Sequence, residues 1–90
     1  MSIEDIQKFL DSKTSPQNEY VTISFKQRDP MIGVFLRSSQ DYEDLKRKNF
    51  WRIIPKSGLA AYRQNGNTQG AKIFSGNDFS RLAIAEDVIG

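Results

Sequence analysis

The feature that most constrains this chain is a single change in the period of its apolar residues. Ile3, Ile6, Phe9 and Leu10 recur at the spacing of one helix face, whereas from Tyr20 onward Val21, Ile23 and Phe25 alternate with Thr22, Ser24 and Lys26. A helix of about ten residues is marginal alone, so its stripe must dock on something. A sheet with one apolar face must in turn be covered or must curl to hide its edges. With 90 residues the chain suits one domain of this kind and has no room for a second core. Leu, Ile, Val and Phe supply 23 of the 90 residues, above the ~20% under which disorder is the default.

Local signals divide the chain further. Ser2 is a fitting N-cap with Glu4 and Asp5 in the first turn, which predicts a helix over about 2–13; Thr14, Ser15, Pro16, Gln17 and Asn18 then form a run of turn formers. A first strand over 20–26, a turn at Gln27, Arg28, Asp29 and Pro30, and a second strand over 31–37 make an antiparallel hairpin, with Gly33 marking a bend or a close backbone approach. Residues 41–47 suit one helical turn, acids first and bases last. Asn49 to Ile54 reads as a strand with Trp51 and Ile53 on one face and Phe50, Arg52 and Ile54 on the other. Leu59 to Arg63 reads as a short further strand, and Asn65-Gly66 as a hairpin-type turn inside a flexible loop over about 64–70. Strands over 71–74 and 79–84 follow; a helix from the Asn77 N-cap is the alternative for 79–87. The fold class this predicts is mainly β with an N-terminal helix, a small, strongly bent antiparallel barrel over about 19–85, within a single domain over 1–90.

The chemistry open to such a chain is narrow. It has no His and no Cys, which removes disulfides, thiol nucleophiles and His-based acids, bases or metal ligands. Tyr42-Glu43-Asp44-Leu45-Lys46 resembles the Tyr-x-x-x-Lys signature of short-chain dehydrogenases, in which Tyr is the acid or base. The glycine-rich phosphate loop of that family is missing, and the chain is too short for its fold. The segment therefore reads as a polar helical turn with Tyr42 against the core and Lys46 in water. No catalytic residue, cofactor site or metal site is predicted. The acidic start and the lack of an apolar run of about 18–20 residues predict a cytoplasmic protein that does not enter the membrane.

Charge carries the remaining signal. Residues 1–45 hold 5 basic and 8 acidic side chains, residues 46–81 hold 8 and 1, and residues 82–90 hold 0 and 2, so the overall +2 contains a block of +7. Within that block Lys46, Arg47, Lys48, Phe50, Arg52 and Arg63 combine cations with an aromatic, the mix that follows phosphates and stacks bases in single-stranded nucleic acid.

Residues 3–84 resemble the Sm-like family. Tyr20 to Leu36 is similar to its first motif, with the strand-two glycine at Gly33, and Ile73-Phe74-Ser75-Gly76-Asn77-Asp78-Phe79 is similar to its second. The resemblance implies a helix followed by a five-stranded bent barrel, Sm-like or more loosely SH3-like, and a ring-forming, RNA-associated role. Ser75 stands where the family has a base, Asp41-Tyr42-Glu43 differs from its RNA-reading loop, and Pro55 to Gly70 lengthens the region between motifs. The functional expectation is a non-enzymatic protein-interaction or self-assembly module, with single-stranded RNA binding as the alternative.

Overall fold

The computed structural model describes residues 1–15 and 18–85. Helix α1 (Ile3–Lys13) is followed by strands β1 (Val21–Phe25) and β2 (Met31–Phe35), helix α2 (Tyr42–Arg47) and strand β3 (Phe50–Pro55). Helix α3 (Leu59–Asn65) and strands β4 (Lys72–Ser75) and β5 (Phe79–Ile84) complete it, with 3₁₀ turns at Lys56–Gly58 and Gly76–Asp78. The strands form one antiparallel sheet in the order β4-β3-β2-β1-β5. As predicted, the Ser2 side chain caps α1, accepting from the Asp5 N–H at 3.1 Å, and residues 79–84 are strand rather than helix. Pro16, Gln17 and residues 86–87 lie outside the described residues.

One predicted strand is a helix. Leu59 to Arg63, expected to be extended, forms most of α3. The residue behind this is Gly66, which sits in the left-handed region at φ 70 and donates its N–H to the Tyr62 carbonyl at 2.8 Å. Asn65-Gly66 is thus a helix C-cap, not a hairpin turn. Leu59 and Tyr62, three apart, then fall on one helix face and pack over Val34, Leu36 and Ile54.

The sheet therefore has apolar residues on both faces. Its inner face carries Val21, Ile23, Phe35, Trp51, Ile53, Phe79 and Leu82, closed by Ile6 and Leu10 of α1. Aromatic edges meet ring faces there, with centroids 6.0 Å apart for Phe35 and Trp51 and 5.5 Å for Phe25 and Phe79. Its outer face carries the smaller cluster under α3.

The sheet is also curled. β4 and β5 stand at opposite ends of the strand order, yet only Gly76–Asp78 joins them. Four Cα steps span at most roughly 14 Å, whereas the outer strands of a flat five-stranded sheet lie roughly 19 Å apart. Curling brings the two ends together without pairing them, so the sheet stays open between β4 and β5. Gly33 sits at a close approach of β3: a Cβ there would lie 2.7 Å from Ile53 Cγ2 and 2.8 Å from the Ile54 carbonyl oxygen.

Candidate interaction surface

Alternation along β3 decides which aromatic faces outward. Trp51 points inward and is 1% exposed, which leaves Phe50 outward at 38%. Arg52 pairs in register with Ile73 of β4, the other large apolar residue left outside at 50% exposure. Phe50, Arg52 and Ile73 thus share the outer face next to the β4 edge.

The backbone at that edge follows from the ladder. The Leu36 N–H donates to the Arg52 carbonyl, so Arg52 bonds toward β2, and in an antiparallel sheet its neighbours Trp51 and Ile53 bond toward β4. Ile73, opposite Arg52, accordingly turns its own N–H and C=O away from β3. Among the described residues no strand pairs with β4 on that side, nor with β5 on its outer side. Ile73 therefore offers side chain and backbone together.

The six residues singled out in the sequence are placed differently from one another. Lys46, Arg47 and Lys48 sit at the end of α2, Phe50 and Arg52 on β3, and Arg63 on α3. Arg52 makes a two-pronged contact with Asp41, at 2.9 and 2.8 Å. Arg63 bonds Glu19 at 2.8 Å and lies 4.9 Å from the Tyr20 ring centroid. Lys46 and Arg47 each approach an acid one turn earlier on α2, Glu43 and Asp44, at 3.8 Å. Of the five cations only Lys48 has no carboxylate partner among the described residues. The +7 block thus draws its counter-charges largely from the acidic first half. Burial opposes ionisation of Asp41, but the Arg52 guanidinium, together with Ser39 and the local backbone, holds that carboxyl below the usual carboxylate range; the Arg37 guanidinium, with Gln7, lowers that of Asp11.

Tyr42 and Lys46 are neighbours, with Lys46 Nζ 6.0 Å from the ring centroid. The Tyr42 hydroxyl donates to Gln7 Oε1 at 2.8 Å, and its ring stands edge-on to Trp51 at 6.1 Å. The phenol ties α2 to α1.

Asn49 was not singled out in the sequence and organises this end of the molecule. It is the one non-glycine residue with positive φ among the described residues, at 61, and is buried. Its Oδ1 accepts from Trp51 Nε1 at 2.8 Å, while its Nδ2 donates to the Met1 carbonyl at 3.0 Å and to Asn77 Oδ1 at 3.1 Å. Its carbonyl accepts from the Gly76 N–H at 2.8 Å. Asn between a basic helix end and an aromatic strand is the available sequence signal, because Asn tolerates the left-handed region best among residues with a side chain.

Fold and surface together define a class, a small helix-capped, curled antiparallel sheet whose two edge strands pair with no further strand among the described residues. Beyond that class, the chain matches no family model, no curated protein and no solved structure. Among the described residues no helix is long and apolar enough to cross a membrane, and no group of three or more acidic side chains converges as metal ligands would.

Proposed function

We propose that this protein is a non-enzymatic, cytoplasmic interaction module of Sm-like or SH3-like barrel type, which assembles with copies of itself or with a protein partner by adding a strand at β4. The observation that carries this reading is Ile73, half exposed beside Phe50 with its backbone turned toward the open edge. An unprotected strand edge next to apolar side chains is a template for another chain. The strand that suits it in a second copy is β5, whose outer side pairs with no strand among the described residues and is met by the Met1 ammonium at its first carbonyl, that of Phe79. Pairing β4 of one copy with β5 of the next is head-to-tail, and closes into a ring or runs on as a filament.

The test is molar mass by light scattering as concentration is raised. The expected result is a mass several times that of the 10.3 kDa chain, reduced to the monomer by Ile73→Pro. Proline removes the outward N–H and leaves the β3 ladder intact, because Ile73 gives none of its bonds to β3. A wild-type monomer throughout would overturn self-assembly and leave a strand from another protein as the occupant.

RNA binding is the second reading, carried by the unpaired Lys48 beside the exposed Phe50. Four of its five cations would have to leave carboxylates for phosphates, which places it second. Binding of labelled single-stranded RNA that weakens steeply between about 50 and 200 mM salt would raise it to first place.

A further inference from the structure

The sheet has a gap within it as well as free edges. β1 and β2 pair only from Val21 opposite Gly33 to Ile23 opposite Met31, whereas β2 stays paired with β3 as far as Phe35, and Leu36 still bonds Arg52 at 2.9 Å. Successive residues of an antiparallel strand direct their backbone groups to alternate neighbours. Leu36 bonds toward β3, so Phe35 directs its N–H and C=O toward the β1 side, where Arg37 also lines the surface. Before β1, the Tyr20 carbonyl accepts from the Ala85 N–H at 2.9 Å, beyond the end of β5, which turns the backbone of Glu19 back toward Phe35. No backbone hydrogen bond joins Glu19 to Phe35. Where that bond would lie there is a cleft of about 390 Å³, with Leu10, Thr14, Glu19, Phe35, Leu36 and Tyr62 among its lining residues.

We infer that this cleft binds a short, uncharged, extended peptide segment in the strand position between Glu19 and Phe35. Phe35 offers its backbone there in strand geometry, and a guest backbone supplies the sheet partner that Glu19 does not. Its volume falls at the lower end of the ~300–1,000 Å³ of ligand pockets. Both charges at its rim are already compensated, Arg37 by Asp11 and Glu19 by Arg63, so it complements a guest without charge. Leu10 and Phe35 belong to the inner cluster and Leu36 and Tyr62 pack in the outer one. A guest strand therefore meets apolar surface with both of its faces, which separates this site from the β4 edge and makes it independent of self-assembly.

The experiment titrates acetyl-Val-Val-Val-amide into the full ¹⁵N-labelled chain and follows the backbone amide signals. Saturable shifts at Glu19, Phe35 and Arg37 are expected, with slower hydrogen exchange at the same amides. An analogue with its central amide replaced by an ester should bind about tenfold more weakly, because it lacks one donor. Ser38→Trp, at the cleft mouth, should abolish binding while leaving the melting temperature unchanged. Absence of shifts at those three amides, or equal binding of amide and ester, would overturn the inference. The ester comparison needs no variant and stands even if Ser38→Trp fails to fold.

Discussion

At the scale of single residues, Asn49 does what no other side chain in this fold is positioned to do. It accepts the left-handed turn that brings α2 into β3, and its amide joins Trp51, Met1 and Asn77. Asn49→Ala forces alanine into that turn and strands the indole N–H, at a cost of about 2–4 kcal/mol. Asn49→Gly relieves the turn and should recover part of the loss in urea unfolding; full recovery would mean that the amide bonds add nothing. Gly76 is needed for the same reason, since a Cβ there would collide with the Asn49 side chain and lie 2.6 Å from Ile6 Cδ1. Asp41 and Asp11 make folding sensitive to acid. Their folded carboxyls titrate below the usual range, so the unfolded chain takes up protons first as pH falls. The stability they confer is complete above about pH 5 and drains away as pH falls below it. Asp41→Asn, followed by thermal unfolding from pH 7 to 2.5, should lower stability at pH 7 and flatten the acid decline.

At the scale of elements, what the sequence made legible was whatever depends on period. The α1 stripe, the alternation in β1 and β3, and the separation of Trp51 from Phe50 onto opposite faces all follow from spacing, and the structure agrees. The strand reading of 59–63 fails because Leu59-Ala60-Ala61-Tyr62 is too short to display a period, and the helix runs on into the expected loop as far as Asn65. Its decisive residue is Gly66, which serves equally well in a hairpin or a helix cap until its neighbours are known. The candidate surface was legible only in part. Phe50 and Arg52 could be assigned outward, but the exposure of Ile73 depends on β4 being the last strand, and the pairing of Arg52 and Arg63 with Asp41 and Glu19 crosses 11 and 44 residues of chain. Helix α3 gives a direct measurement. Leu59→Ala should destabilise by about 2–5 kcal/mol, as a core truncation does, whereas an outward strand residue would lose far less. Gly66→Ala should cost about 1–2 kcal/mol through its left-handed conformation alone. Chemical denaturation of both variants checks the assignment.

At the scale of the whole molecule, the shortness of Gly76–Asp78 compels the curl, because it must carry the chain from one end of the sheet to the other. Its length is therefore a structural constant, unlike that of the exposed 66–70 segment. Two glycines inserted between Asn77 and Asp78 should lower the melting temperature by several degrees, because the turn would lose its register with Asn49. The same insertion between Asn67 and Thr68 should act only through loop entropy, about 0.6 kcal/mol per doubling of length. The chain has a single tryptophan, and its indole nitrogen bonds the residue on which that turn depends. Trp51 emission thus gives the molecule its own optical gauge of closure, and a shift toward longer wavelength would announce that the two ends of the sheet had parted before the rest of the fold gave way.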